Sequence, residues 1–296
     1  MHRRIAFIGL GAMGGAMAQT LIRKQYHVTG YDTHPEAVAR LALHGGHAAA
    51  SSEEAARDAD IVILMVVNAD QAEDVLFERL AVEASKPDAT VIVCSTCAPD
   101  RVEAIARRVE RTGRGFVDAP VSGGVAGASN GTLTIMAAGK KSVFEGARPV
   151  LAAMGSSLFH LGEQPGQGAA MKVVNQLLCG VHIAAAAEGL AFAERAGINP
   201  ATALEVLSGS AAQSWMLAAR GPRMIDYDNM VTSAVDIFVK DLALVLDSGR
   251  AAKMALPLAA SAHQLFLAAS GMGHGHEDDS QVIETYRALM RKREDR

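Results

Sequence analysis

The chain has 296 residues, half of them hydrophobic and 20% charged, which is long enough for two domains with separate cores. Its 28 basic and 32 acidic residues leave a formal charge of −4, so no basic surface is advertised and nucleic acid is excluded as an expected partner. Cys94, Cys97 and Cys179 are too few for a disulfide framework, the apolar stretches are short, and strand-like sequence begins at Arg4 with no room for a signal peptide. Together these predict a cytoplasmic protein that spans no membrane.

In chain order, the first half alternates apolar β-branched runs with helical stretches. Strands are expected at residues 5–8, 28–31, 61–66, 90–94, 115–117, 132–138 and 157–160, and helices at 14–24, 35–43, 52–57, 100–112 and 141–154. Ser52 and Asp100 are read as N-caps. Runs apolar on both faces suit a parallel sheet, and the alternation predicts an α/β, Rossmann-type doubly wound sheet. Beyond Gly162 strand-like runs vanish, and one nearly apolar helix is expected over about residues 166–196. Gly197 stops it and Asn199-Pro200 starts the next helix. Later helices are read at 234–253, 256–270 and 279–292, with a charged, fraying tail at 291–296. The fold class is therefore a doubly wound parallel sheet followed by an all-α C-terminal domain, joined by the long helix. The boundaries are 1–163 for a nucleotide-binding domain and 164–296 for a helical domain.

Gly9-Leu10-Gly11-Ala12-Met13-Gly14 follows a strand and opens a helix. The first glycine permits the tight turn, the second lets backbone approach a pyrophosphate, and the third allows close helix–strand packing. The helix N-terminus offers free N–H donors to phosphate. Asp32, eighteen residues past Gly14, ends the second strand; a carboxylate there accepts ribose hydroxyls and repels a 2′-phosphate, which reads as NAD. Val67, Asn68 and Thr96 follow two further strands, where ligands of parallel sheets bind; Asn68 and Thr96 are either cofactor partners or helix caps.

Asp118-Ala119-Pro120-Val121-Ser122-Gly123-Gly124 is a polar, glycine-rich loop, and Ser122 with the N–H groups of Gly123 and Gly124 suits a substrate carboxylate. In Gly168-Ala169-Ala170-Met171-Lys172-Val173-Val174-Asn175, a lysine interrupts an apolar helix. Lys172 and Asn175 lie three apart and share a face, where an ammonium and a carboxamide are costly unless used. The residues alone leave Lys172 open between an acid/base and a snorkelling or salt-bridged lysine.

These motifs, with Phe238-Val239-Lys240-Asp241-Leu242, make the chain resemble the β-hydroxyacid dehydrogenase family, related to 3-hydroxyisobutyrate dehydrogenase, over essentially its whole length. The resemblance implies homodimers or homotetramers, no metal, Lys172 as catalytic acid/base, Ser122, Gly123, Gly124 and Asn175 holding substrate, and Lys240 near the nicotinamide. It also implies NAD-dependent oxidation of a small hydroxy acid, with L-threonate oxidised at C2 the first candidate. The alternatives are 3-hydroxyisobutyrate and tartronate semialdehyde, or, outside catalysis, an NAD-binding sensor. Imine-reducing relatives lack the lysine, so Lys172 favours alcohol oxidation. Removing a hydride from an alcohol requires a base at its oxygen, and a lysine near a cationic ring in a desolvated cleft is expected to be less basic than usual.

Other features are set aside. Gly273-His274-Gly275-His276-Glu277-Asp278-Asp279 matches no standard metal spacing and reads as a loop with Asp278 or Asp279 capping the last helix. Cys94 and Cys97 lack a redox context. Trp215 and His182 are expected as packing residues, with a pocket-lining role the alternative for Trp215.

Overall fold

The structure is a computed structural model describing residues 3–290; the expected frayed tail lies outside the described residues. The chain divides into two compact units, Met1–Lys172 and Val173–Arg296.

The first unit alternates β1 (Arg4–Ile8), α1 (Ala12–Arg23), β2 (His27–Tyr31), α2 (Pro35–Leu43), β3 (His47–Ala48), α3 (Ser52–Ala56), β4 (Ile61–Leu64), α4 (Ala69–Glu73), α5 (Ala81–Ala84), β5 (Thr90–Val93) and α6 (Pro99–Glu110). It continues with β6 (Gly115–Asp118), β7 (Val121–Ser122), α7 (Gly124–Asn130), β8 (Thr134–Ala138), α8 (Lys141–Met154) and β9 (Ser157–Gly162). A π-helical turn, Asp74–Glu78, follows α4. The sheet order is β3-β2-β1-β4-β5-β6-β8-β7, with β9 paired to β8, and β1 to β6 are all parallel. Strand order reverses between β1 and β4, the switch point at which such sheets bind ligands.

Two-residue periodicity divides the core between the sheet's faces. Ile5, Phe7, Ile61, Ile63 and Ile92 pack with Met17, Leu21, Phe144 and Leu151 of α1 and α8. Ala6, Ile8, Val62, Leu64, Val91 and Val93 pack with Val102, Ile105 and Val109 of α6. Strands buried on both sides are what a helix-covered parallel sheet requires.

Helix α9 runs Gln167–Arg195, 29 residues. By length and composition it is apolar enough to cross a membrane, but half of its apolar window is buried inside the protein, as in a core helix. The second unit adds α10 (Pro200–Ser208), α11 (Trp215–Ile225), α12 (Val235–Ala251), α13 (Pro257–Ala269) and α14 (Glu284–Met290), with a 3-10 turn at Asp279–Ile283. Its core gathers Ile183, Leu190, Phe238, Leu242, Phe266 and Ile283. Gly197 adopts φ +77 after α9, and Asn199 caps α10 through the N–H groups of Ala201 and Thr202.

Several local expectations are corrected. The cap of α3 is Ser51, whose hydroxyl accepts from the Glu54 N–H, not Ser52, whose hydroxyl donates to the Arg79 carbonyl. Helix α6 begins with Pro99 after Ala98, so Asp100 sits in the first turn, where its charge complements the helix dipole. Trp215 is 56% exposed with the Arg220 guanidinium 5.9 Å over its ring, and His182 is exposed; neither packs in the core of the chain.

Candidate active site

The turn after β1 has the geometry expected of a pyrophosphate cradle. Gly9 has φ +91, and a β-carbon there would lie 2.4 Å from the Met65 carbonyl oxygen. At Gly14 a β-carbon would stand 2.0 Å from the Gly9 carbonyl oxygen, so only glycine lets α1 pack this close. At Gly11 a β-carbon meets nothing within 4 Å; it would project into the open space that a phosphate needs. Helix α1 has no side-chain cap and no acidic residue in its first turn, so its terminal N–H groups stay available, among them those of Ala12 and Met13. The residues present fit a dinucleotide.

Asp32 follows β2. Its Oδ2 accepts the Leu10 N–H at 2.6 Å and its Oδ1 the His34 N–H at 2.9 Å, which fixes the carboxylate beside the glycine turn. Burial alone would raise this carboxyl, but the N–H groups of His34 and Leu10 and the His34 ring outweigh it and hold the pKa below the usual range. The site therefore keeps a negative charge at neutral pH. We expect Asp32→Ala to raise the ratio of NADP to NAD turnover by about 10- to 100-fold, with the wild-type preference for NAD flat between pH 6 and 9. Steady-state kinetics with both dinucleotides measures this, and an unchanged ratio would remove Asp32 from cofactor choice.

At the next strand ends, the Asn68 side chain accepts the Gln71 N–H and caps α4, so its oxygen is committed to the helix. The Val67 N–H is taken by the Gln71 side chain, while the Val67 side chain stays exposed. Thr96 is half-buried just past β5.

Ser122, expected in a loop, lies on the short strand β7, paired with Thr134. Gly123 (φ +127) and Gly124 (φ +63) then open α7, and a β-carbon at Gly124 would meet nothing within 4 Å. Ser122 and both glycines are half-buried, which leaves them within reach of a ligand.

Helix α9 carries Lys172 and Asn175 on one face, with Gln176 and Cys179 beside them. Lys172 is only 8% exposed, although Met171 and Val174 on either side of it are 40% and 51% exposed. Such burial is not that of a surface lysine. In the second unit the Asn175 amide donates to Gln176 Oε1 at 2.9 Å, and the Gln176 amide donates to Asp241 Oδ2 at 2.5 Å. Lys240 Nζ lies 2.6 Å from Asp241 Oδ1, an ion pair without hydrogen-bond alignment. Asn175 and Lys240 are thus joined through buried Gln176 and Asp241, two residues that sequence reasoning did not single out. The place of Asp241 inside the Phe238–Leu242 motif was the available signal for the second.

Asp118, the head of the Asp118–Gly124 segment, was missed as well. It is fully buried at the end of β6, and its Oδ2 accepts the N–H groups of Gly166 and Ala169 at 3.1 and 2.8 Å. In the second unit, the Asp278 side chain accepts the Ser280 N–H and caps the 3-10 turn, as the loop reading anticipated.

A glycine turn with open space at the switch point, a carboxylate fixed beside it and a buried lysine are what a nicotinamide-dinucleotide-dependent oxidoreductase requires. Residues 4–162 match the NAD binding domain of 6-phosphogluconate dehydrogenase, and residues 166–286 match the NAD-binding domain of NADP-dependent 3-hydroxyisobutyrate dehydrogenase. The chain belongs to the β-hydroxyacid dehydrogenase family of 3-hydroxyisobutyrate dehydrogenase-related enzymes. It is 46% identical to an L-threonate dehydrogenase of Cupriavidus necator over 97% of each chain. A Haemophilus influenzae L-threonate dehydrogenase is 41% identical over 95% of this chain and 94% of its own. Among solved structures, a Salmonella typhimurium 3-hydroxyisobutyrate dehydrogenase superposes with a TM-score of 0.91 at 41% identity, covering 96% of this chain and 99% of that one.

Proposed function

We propose that the protein oxidises L-threonate at C2 to 2-dehydro-L-erythronate with NAD, using Lys172 as the proton acceptor. The observation that carries this reading is the 46% identity, end to end, with an L-threonate dehydrogenase. The buried Lys172 one turn from Asn175 supports the chemistry.

Gly9, Leu10, Gly11, Ala12, Met13 and Gly14 hold the pyrophosphate, Asp32 the adenosine ribose, and Val67, Asn68, Thr96 and Lys240 the remainder of the cofactor. Bound nicotinamide supplies the hydride acceptor. Ser122 and the N–H groups of Gly123 and Gly124 hold the substrate carboxylate, and Asn175 orients the reacting hydroxyl. Neutral Lys172 Nζ takes the hydroxyl proton as the C–H bond at the same carbon breaks, and releases it afterwards to water. In reverse, the Lys172 ammonium polarises the carbonyl and protonates the forming alkoxide. In this reading residues 1–163 are the cofactor-binding domain, which also lends Ser122, Gly123 and Gly124 to the substrate, and residues 164–296 are the substrate and self-association domain, which also lends Lys240 to the cofactor.

A homodimer or homotetramer is part of the same proposal, supported by apolar side chains left exposed along α9, Val174, Leu178 and Phe192 among them. A cytoplasmic setting is supported by cysteines that form no disulfide.

NADH formation from L-threonate, D-threonate, the erythronates, D-glycerate and 3-hydroxyisobutyrate tests the substrate. We expect the highest kcat/KM with L-threonate. Turnover of 3-hydroxyisobutyrate with none of the four-carbon sugar acids would instead establish the second reading, favoured by the Salmonella typhimurium structure.

A further inference from the structure

We propose that Asp118 is a positioning residue: its buried carboxylate clamps the first turn of α9 to the head of the Ser122 loop and so sets Lys172 against the substrate cradle. The proposal rests on Lys172 being the acid/base.

The first N–H groups of an α-helix have no carbonyl partner within it, and a local Ser, Thr, Asp or Asn normally supplies one. Before α9 the sequence is Glu163-Gln164-Pro165-Gly166, which contains no such residue. The cap comes instead from Asp118, about fifty residues upstream, which takes the N–H groups of Gly166 and Ala169 and is also approached by that of Gly168. Contact here has no slack. A β-carbon at Gly168 would lie 2.4 Å from the Met136 carbonyl oxygen and 2.9 Å from Asp118 Oδ2. Sliding or turning α9 breaks these bonds, and Lys172 follows Ala169 by three residues, less than one turn.

The same residue starts the loop. Asp118 pairs with Ala138, the Pro120 carbonyl accepts the Met136 N–H at 3.0 Å, and Val121 and Ser122 pair with Ile135 and Thr134. Only three residues separate Asp118 from Ser122, so both halves of the constellation are referred to one carboxylate. Its burial is costly for a plain cap. Desolvation pushes the carboxyl up to about 7 against its three N–H donors, and Oδ1 has no hydrogen-bond partner. The nearby Cys94 thiol, pushed up to about 12 by burial and by Asp118, carries no charge to share. A neutral Asn or Ser could cap this helix at lower cost.

The experiment compares Asp118→Ala, Asp118→Asn, Gly168→Ala and Lys172→Ala, using L-threonate with and without deuterium at C2. We expect Asp118→Ala and Gly168→Ala to lower kcat roughly 100-fold, the scale of a 1 Å misplacement, with NADH affinity within about twofold of wild type. Asp118→Asn, which keeps an acceptor, should lose only about three- to tenfold. In all three the isotope effect on kcat should rise, because a misplaced base slows the chemical step itself. A purely structural cap would reduce the active fraction and leave the isotope effect and pH profile of kcat unchanged; that result in the soluble variants overturns the proposal. If Asp118→Ala is insoluble, Asp118→Asn and Gly168→Ala carry the same test. Wild-type rates in Lys172→Ala would show that the acid/base reading has failed and that Asp118 has no base to position, whereas a dead Lys172→Ala beside unaffected Asp118 variants rejects the positioning role alone.

Discussion

Lys172→Ala is expected to lower kcat by about 10²- to 10⁴-fold, the range that a positioned general base contributes, while equilibrium NADH binding stays within about twofold. The reasoning starts from burial: Lys172 is only 8% exposed on an apolar helix, one turn from Asn175, withdrawn from solvent as a general base in a cleft would be. Two further substitutions separate base catalysis from charge alone. Lys172→Arg keeps a cation but cannot shed its proton at assay pH, so it should be as inactive as alanine in the oxidation direction. Lys172→Met keeps the length and apolar stem but offers no nitrogen to take the proton, and should be as inactive as alanine. Stopped-flow NADH formation with L-threonate measures the rates. An arginine variant within tenfold of wild type would show that Lys172 holds substrate by charge and takes no proton.

What could be read in advance was what depends on near neighbours. The glycine turn, Pro35–Leu43 and Lys141–Met154 are written in short-range pattern, and α2 and α8 occupy those residues. The Lys172–Asn175 face follows from helical spacing alone. Pieces too short or too polar to carry a period were not legible. These are β3, the strand β7 inside the expected loop, the small helices α4, α5 and α7, and α11, whose interior Pro222 breaks the usual signal. Caps were displaced by single residues, because Ser51 and Ser52 offer the same chemistry and only the backbone decides which hydroxyl meets an orphan N–H. Long-range partners were invisible on principle. Nothing near Gly166 reveals that Asp118 will cap α9, and nothing near Asn175 reveals Asp241 behind Gln176. The candidates for chemistry could be picked out from their types. Those that hold them in place became visible only when strands and helices distant in sequence met.

Asp278→Ala is expected to lower the unfolding free energy by about 3–5 kcal/mol, read as a shift in urea midpoint, because it orphans several buried donors at once. The Asp278 side chain is fully buried and accepts from Arg223 Nε at 2.9 Å, the Thr232 N–H and hydroxyl at 2.9 Å each, and the Ser280 N–H at 3.2 Å. Beside it Arg220 forks onto Asp279 at 2.8 and 3.0 Å, so residues 278–280 are stitched to α11 and to the approach to α12. Burial would raise the Asp278 carboxyl, but the Thr232 N–H, the Arg223 guanidinium and Ser280 outweigh it and hold it at about 2. A carboxyl depressed in the folded state adds stability that is complete above its unfolded pKa, near 3.9, and is lost as pH falls through 2. The gap from 3.9 to about 2 corresponds to roughly 2.5 kcal/mol, of which about half should remain at pH 3. Comparing wild type with Asp278→Asn below pH 5 isolates this contribution; above pH 5 the neighbouring Asp279 carboxyl, pushed up to about 6 by burial and in part by Asp278, titrates differently in the two proteins. The stability difference should shrink by about 1.2 kcal/mol between pH 5 and pH 3. A difference that stays constant down to pH 3 would mean that packing around the side chain, and not its charge, holds residues 278–280 in place.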